Sequence, residues 1–145
     1  MRAKLDVFGD DYPTPDGSCV RDYIHVSDLA RAHSDALRHL RAGQPSLTLN
    51  CGYGHGFSVL DVVETVKRVS GVDFKVEIAP RREGDPAQIV ADSQRARAAL
   101  RWQPRFDDLS IIVEHALAWE QAPIKRSGSE PQGANRRAAT SSGRS

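Results

Sequence analysis

Short stretches of alternating apolar and polar residues are followed along this chain by longer stretches with apolar residues at helical spacing. Alternation occurs over residues 5–8 and again over residues 74–78, and residues 47–51 form a third short apolar run. A period of two indicates a strand, whereas apolar residues three and four apart indicate a helix. Because strands alternate with helices and no internal repeat is present, the sequence predicts an α/β fold with at least partly parallel strand pairing.

The first predicted helix follows an extended run over residues 19–26. Ser27 is the predicted N-cap, since its hydroxyl can accept a hydrogen bond from the first turn. Gly43 and Pro45 end the helix, because glycine tolerates a left-handed C-cap and proline cannot continue the helical hydrogen bonds. The predicted strand over residues 47–51 then leads into a glycine-rich turn.

Three more helices are predicted downstream. Ser58 and Asp61 have the spacing of a capping box, and Gly71 closes the helix that they begin. The last two helices have candidate caps at Asp92 or Ser93 and at Asp107 or Asp108. Trp102, near the end of the third helix, and Trp119, on the fourth, are expected to pack in the core or at its edge.

The composition is that of a globular protein. Of the 145 residues, 39% are hydrophobic and 27% are charged. No run of about 18 apolar residues is present, so no membrane partner is expected. The two cysteines lack C-x-x-C spacing, which argues against a disulfide framework and favours a cytoplasmic location.

The last 23 residues differ from the rest of the chain. Residues 123–145 hold five basic residues against one acidic residue and show no apolar periodicity. We therefore expect residues 1–122 to fold and residues 123–145 to form a disordered basic tail rich in Ser, Gly and Arg. No basic face interleaved with aromatic residues is visible in the folded part, so nucleic acid is not an expected partner.

Several common catalytic and metal motifs are missing from the sequence. The five histidines have no metal-ligand spacing, and neither H-E-x-x-H nor G-x-S-x-G occurs. The glycines at positions 52, 54 and 56 lack the G-x-G-x-x-G spacing of a dinucleotide turn, so we expect them to allow close packing of a helix on its strand. The sequence predicts no catalytic, cofactor-binding or metal-binding residue within the chain.

Two segments carry the functional signal. The first contains Asp-Tyr-Pro-Thr-Pro-Asp-Gly followed by Arg-Asp-Tyr-Ile-His-Val at 21–26, and the second is Ala-Pro-Arg-Arg-Glu-Gly-Asp-Pro at 79–86. In an extended segment Arg21 and Tyr23 point to one face, where a guanidinium fork matches the oxygens of a diphosphate and a hydroxyl adds a donor. Arg82 supplies a second fork, and Asp85 is a candidate acceptor for a ribose hydroxyl. Either segment alone would suit a solvated charge cluster; together they favour a ligand.

These segments resemble those of the UDP-glucose 4-epimerases, which belong to the extended short-chain dehydrogenase/reductase superfamily. Arg-Asp-Tyr-Ile-His-Val occurs more widely in that superfamily, and Asp-Tyr-Pro-Thr-Pro-Asp-Gly narrows the resemblance to the epimerases. The resemblance runs from about residue 5 to residue 119. It implies that the chain is the C-terminal, substrate-binding part of such an enzyme and lacks most of the Rossmann domain.

The resemblance also implies a ligand, a cofactor and partners. Six side chains are implied to bind the sugar nucleotide: Phe8 at the uracil, Arg21, Tyr23 and Arg82 at the diphosphate, Asp85 at the ribose and Ile89 at the hexose. The implied substrates are UDP-glucose and UDP-galactose, in galactose metabolism. The implied cofactor of the complete enzyme is NAD, bound by an N-terminal nucleotide-binding domain missing here, and the complete enzyme is implied to be a possible homodimer.

The family's catalytic Tyr-x-x-x-Lys pair is not present, because Tyr12, Tyr23 and Tyr53 are each followed four residues later by a residue other than lysine. We therefore expect a truncated piece that is inactive alone, with the first helix and the strand over residues 47–51 packing on the missing domain. Two alternatives remain open. One is a non-catalytic UDP-sugar-binding module, and the other is a sugar-nucleotide dehydratase or decarboxylase of the same superfamily.

Overall fold

The computed structural model describes residues 4–122. In chain order its elements are β1 (Lys4–Phe8), β2 (Val20–Arg21), α1 (Val26–Arg41), β3 (Phe57–Ser58), α2 (Val59–Ser70), β4 (Lys75–Ala79), β5 (Gln88–Ile89), α3 (Gln94–Leu100) and α4 (Leu109–Gln121). The predicted tail over residues 123–145 lies outside the described residues. Within the described part, no helix has the length and apolar character needed to span a membrane.

The five short strands form two small sheets. β1 pairs in parallel with β4, and the register places Phe8 opposite Ala79 at the ends of the two strands. β2 pairs antiparallel with β3 and parallel with β5, so that Arg21 lies opposite Ile89. The predicted α/β class and the partly parallel pairing are confirmed. Because β1 and β4 run in parallel and end together, the loops that follow them leave the sheet at the same edge.

Helix α2 begins and ends where its capping residues predict. The Ser58 hydroxyl accepts from the backbone N–H of Asp61 over 2.9 Å, and the Asp61 carboxylate accepts from the backbone N–H of Ser58 over 3.0 Å. This reciprocal pair satisfies two amides that the helix itself leaves free. At the other end Gly71 adopts a φ of 69°, and its N–H donates to the carbonyl of Lys67.

Helix α1 starts earlier than the predicted cap at Ser27. Its N-cap is His25, whose Nδ1 atom accepts from the backbone N–H of Ser27 over 3.0 Å. An imidazole nitrogen thus takes the capping role that we expected from a hydroxyl. The extended run before the helix is correspondingly shorter than predicted, since β2 covers only Val20–Arg21.

The predicted strand over residues 47–51 is wrong. These residues have no regular secondary structure, and residues 41–48 are exposed. A strand needs a neighbour for its backbone N–H and C=O groups, and none of the strands within residues 4–122 pairs with this segment. Leu49 and Cys51 instead pack against the buried cluster that contains Trp102.

The two tryptophans have opposite environments. Trp102 is 1% exposed, packs in a cluster with Ala32 and Ala96, and confirms the core prediction. Trp119 is 79% exposed, so the prediction that it packs is wrong. It lies near the end of α4, beyond the residues of that helix that face inward. On α1, Leu37 and Leu40 are each 50% exposed, so part of the apolar side of this helix faces outward in the described structure.

Candidate functional site

Two arginine–aromatic contacts join the loop after β4 to the end of β1 and to the loop that follows β1. The guanidinium carbon of Arg82 lies 3.8 Å from the centroid of the Phe8 ring, and that of Arg81 lies 4.0 Å from the centroid of the Tyr12 ring. A cation is attracted to the electron-rich face of an aromatic ring. The parallel register of β1 and β4 brings the two loops close enough for both contacts.

Arg21 and Asp85 form an ion pair beside these loops. Nη2 of Arg21 lies 2.7 Å from Oδ1 of Asp85, and the side chains are 23% and 31% exposed. Nη1 of Arg21 also donates to the backbone carbonyl of Val20 over 2.7 Å. The carboxylate of Asp85 and the carbonyl of Val20 hold the guanidinium in one orientation. Ile89, opposite Arg21 in the strand register, is 51% exposed.

Arg82 and Asp85 belong to a single turn. The backbone N–H of Asp85 donates to the carbonyl of Arg82 over 3.3 Å, and Gly84 between them has a φ of 79°. That left-handed conformation suits glycine, which carries no Cβ. The turn therefore links the Phe8 contact to the Arg21 ion pair. We call the resulting contiguous set the arginine row; its members are Phe8, Arg82, Asp85, Arg21 and Ile89.

Tyr23 lies two residues beyond Arg21 and is partly buried. Burial raises the pKa of its hydroxyl, and the positive charge of Arg21 offsets this only in part. The hydroxyl is therefore protonated at neutral pH and is available as a donor. Of the six predicted site residues, the structure joins five in the arginine row and leaves Tyr23 next to it along the chain.

The arginine row combines the groups that a nucleoside diphosphate requires. Two guanidinium forks offer several N–H donors to phosphate oxygens. Asp85 retains lone pairs that can accept from a hydroxyl, because a carboxylate has about four acceptor sites. The Phe8 ring supplies an apolar face at one end. The arrangement is thus chemically suited to a ligand with an aromatic base, a ribose and a diphosphate.

Two of the three glycines in the turn over residues 51–56 pack closely against the chain itself. A Cβ at Gly52 would lie 2.4 Å from Oδ2 of Asp22, and one at Gly56 would lie 2.7 Å from Cγ1 of Val20. These glycines therefore allow close packing, but against β2 and the residues around it, and not of a helix on a strand over residues 47–51 as predicted. At Gly54, between them, a Cβ would have nothing within 4 Å, and this residue adopts a φ of 90°.

Comparison with known proteins shows which family of proteins this chain is similar to. Residues 2–52 match the model of the NAD dependent epimerase/dehydratase family. The UDP-glucose 4-epimerase of Azospirillum brasilense is 55% identical over 121 residues, which are 83% of this chain and 35% of that protein. This chain resembles part of a UDP-glucose 4-epimerase.

Solved epimerase structures have the same fold over the matched part. The UDP-Glc/GlcNAc 4-epimerase of Campylobacter jejuni superposes with a TM-score of 0.75 at 54% identity, over 82% of this chain and 36% of that one. The UDP-glucose-4-epimerase of Stenotrophomonas maltophila, solved with bound NAD and formylated UDP-arabinopyranose, has a TM-score of 0.77 at 45% identity, over 82% and 35%. The chain spans between 35% and 38% of the length of the curated epimerases that it matches.

Two features of the arginine row and its surroundings were not predicted. The sequence did not pair Arg21 with Asp85, which are 64 positions apart. It also gave Arg81 no part in the site, whereas the structure places Arg81 on Tyr12. A loop with two adjacent arginines and a second loop with aromatic residues were visible, but the partner of each arginine depends on the register of β1 and β4.

Proposed function

We propose that this chain is the UDP-hexose-binding part of a UDP-glucose 4-epimerase that interconverts UDP-glucose and UDP-galactose in galactose metabolism. The binding region spans residues 1–122 in this proposal. The observation that supports it best is the arginine row, found in a chain that is 55% identical to an epimerase over 121 residues. Sequence identity to an epimerase does not by itself show that the residues needed to bind the ligand lie together; the arginine row supplies that observation.

The two ends of the arginine row support the proposed roles. Phe8 and Ile89 stand at its two ends, with Arg82, Asp85 and Arg21 between them. A UDP-hexose likewise has the uracil at one end and the hexose at the other, with the ribose and diphosphate between them. We assign Phe8 to the uracil, Asp85 to the ribose, both arginines to the diphosphate and Ile89 to the hexose.

Tyr23 is proposed as an additional donor beside the diphosphate. Its raised pKa keeps the hydroxyl protonated, so it can donate to a phosphate oxygen without adding negative charge. Each charged hydrogen bond from an arginine is expected to contribute about 1.5–3 kcal/mol. Together these groups would orient the sugar nucleotide, which is the part of catalysis that this chain can perform.

NAD is proposed as the cofactor of the complete enzyme. The glycines at positions 52, 54 and 56 lack the spacing of a dinucleotide turn, so we place NAD in the portion of the epimerases that this chain does not match. When bound, NAD supplies the hydride acceptor and donor for C4 of the hexose. We accordingly propose that the chain is inactive without a nucleotide-binding domain, and that the complete enzyme is a cytoplasmic protein capable of forming a homodimer.

The test is a chimera in which this chain replaces the matching segment of the Azospirillum brasilense epimerase. Interconversion of UDP-glucose and UDP-galactose by the chimera, and not by the chain alone, is the expected result. Arg38→Ala is the matched control for the Arg21→Ala and Arg82→Ala variants of the chimera. Arg38 is an exposed arginine paired with Asp35 on α1, and it lies outside the arginine row. UDP binding without turnover would favour the non-catalytic module, and a product other than the C4 epimer would favour the dehydratase or decarboxylase. Failure to bind UDP would contradict the proposal.

A further inference from the structure

Arg81 is the best-anchored arginine of the loop after β4. Its guanidinium stacks on the Tyr12 ring at 4.0 Å, and it donates both to the carboxylate and to the backbone carbonyl of Asp11. Tyr12 is itself only 6% exposed, so the ring is a fixed surface rather than a mobile one. We call Arg81, Tyr12 and Asp11 the loop clamp.

Gly9 makes room for the loop clamp. A Cβ at this position would lie 2.5 Å from Cε2 of Tyr12 and 2.8 Å from Cγ of Arg81, closer than carbon atoms can approach. The φ of Gly9 is 86°, and its N–H donates to the carbonyl of Ala79 over 2.8 Å. The same glycine thus ends β1, ties it to β4 and leaves space for the stacked ring and guanidinium.

The neighbouring Arg82 is held much less firmly. Its side chain stacks on Phe8, but within residues 4–122 its guanidinium has no hydrogen-bond partner. A long side chain held by one contact keeps much of its rotamer freedom, which a ligand must then remove. The position of its backbone is the main constraint on where it points, and that backbone is bonded directly to the clamped Arg81.

The loop clamp is poorly placed to serve global stability. The side chains of Arg81 and Asp11 are 41% and 71% exposed, and exposed ion pairs contribute little to folding. An arrangement of three contacts around one exposed arginine is better explained by what it does to the adjacent residue. It restricts the loop at the point where Arg82 begins.

We propose that Arg81 is a positioning residue for nucleotide binding, which acts through Arg82 by holding the loop against Tyr12 and Asp11. This inference rests on the proposed function, because it takes the diphosphate of a UDP-sugar as the ligand of Arg82. Arg81 touches no ligand in this account. Its contribution is to order the loop before UDP binds, so that UDP binding does not carry the entropic cost of ordering it.

The test is a double-mutant cycle of Arg81→Ala and Arg82→Ala, with the dissociation constant of UDP measured by calorimetry. The variants are made in the 145-residue chain and in the epimerase chimera. Arg81→Ala is expected to weaken UDP binding about three- to tenfold when Arg82 is present, and by less than about twofold when Arg82 is alanine. Tyr12→Leu should behave like Arg81→Ala, whereas Tyr12→Phe, which keeps the ring, should restore binding. In the chimera, KM should rise and kcat should change little.

The outcomes separate this inference from the proposed function. Equal losses in both Arg82 backgrounds would overturn it, since Arg81 would then act on the ligand directly or on the fold. No loss in the Arg81→Ala variant would overturn it as well. If Arg81→Ala fails to fold, Arg81→Lys decides in the same cycle, because lysine keeps the charge and loses the planar stack. If the wild type binds no UDP, either as the chain or in the chimera, the proposed function and this inference are overturned together. If the wild type binds UDP, the double-mutant cycle tests this inference separately from the proposed function.

Discussion

The hydroxyl of Tyr53 donates over 2.8 Å to the carboxylate of Asp28, a side chain with no exposed surface. The same carboxylate accepts from the guanidinium of Arg31 over 2.7 Å and from the backbone N–H groups of Arg105 and Phe106 over 3.0 and 2.8 Å. A buried carboxylate satisfied in this way joins three segments of the chain, namely α1, the glycine turn and the loop before α4. Its partners are therefore the positions where small changes should be felt most.

Tyr53→Phe is expected to lower the free energy of unfolding by about 1–2 kcal/mol, because it removes one donor from a buried charge. Burial, with the nearby charge of Asp28, raises the pKa of Tyr53 to about 12, so the hydroxyl is a donor at neutral pH. Urea denaturation measures the change. Tyr12→Phe is the matched control, since this equally buried hydroxyl has no hydrogen-bond partner among the described residues. Equal losses in the two variants would contradict the assignment.

Stability should fall as the pH drops from 7 to 5 because of His25. Its Nδ1 atom accepts from Ser27, so its proton is on Nε2, which lies 2.9 Å from Nδ1 of His115. Burial is the main cause that lowers the pKa of His25, and the neighbouring His115 lowers it further; Asp28 opposes this shift, and Arg31 adds a smaller lowering. The folded-state pKa is thus below the unfolded value of about 6.5, so the unfolded chain takes up the proton first as the pH falls.

The variant that checks this pH dependence is His25→Asn, since asparagine is a good N-cap and does not titrate. The difference in unfolding free energy between pH 7 and pH 5 should be smaller in His25→Asn than in the wild type. His33→Asn is the control, because His33 is an exposed histidine on the same helix. An unchanged pH slope in His25→Asn would show that other groups cause the dependence.

Arg21→Ala and Arg82→Ala are each expected to weaken UDP binding tenfold or more in the epimerase chimera, since a charged hydrogen bond is worth about 1.5–3 kcal/mol. Titration calorimetry with UDP measures both. Arg21→Ala also frees Asp85 from its ion pair, which leaves an uncompensated carboxylate near the phosphates, so this variant should be the weaker binder. Unchanged affinity in either variant would remove that arginine from the proposed diphosphate site.

Ile89 is expected to influence the choice of sugar. Its side chain is 51% exposed at the end of the arginine row, and its size lies between that of a small residue and that of an aromatic one. We expect UDP-glucose and UDP-galactose to be preferred over N-acetylated sugars, and Ile89→Ala to raise the ratio of kcat/KM for N-acetylated against plain sugars. Steady-state kinetics of the chimera gives this ratio. Val76→Ala, on the other sheet, is a control, and no change in Ile89→Ala would exclude this position as the gate.

The features predicted correctly from the sequence are those encoded by neighbouring residues. The capping box of Ser58 and Asp61 is complete within four positions, and the alternation in β1 and β4 needs only a few residues to be visible. The segment over residues 47–51 failed because a strand needs a partner, and alternation does not supply one. His25 was missed as a cap because histidine rarely has this role, and its suitability depends on its second nitrogen bonding to His115, 90 positions away.

For the site, as for the fold, the residue types could be predicted from the sequence, but their pairing could not. The residue types that suit a diphosphate were present in the sequence, and the structure brings those from separate segments into one row. Which arginine pairs with Asp85 and which stacks on each ring follow from strand register, a tertiary property. The arginine without a predicted role, Arg81, has the most contacts of the loop's two arginines. Its partners Asp11 and Tyr12 lie about 70 positions earlier in the chain.

The opposite environments of Trp102 and Trp119 give the protein two distinguishable fluorophores. These are the only tryptophans in the sequence, and they are 1% and 79% exposed. An aqueous quencher such as acrylamide or iodide should silence the emission of Trp119 and leave that of Trp102. In a Trp119→Phe variant, the remaining signal comes from an indole whose Nε1 donates to the backbone carbonyl of Asp28 over 3.0 Å. The emission wavelength of Trp102 then reports directly on the entry of water at its buried contact with Asp28, without any attached dye.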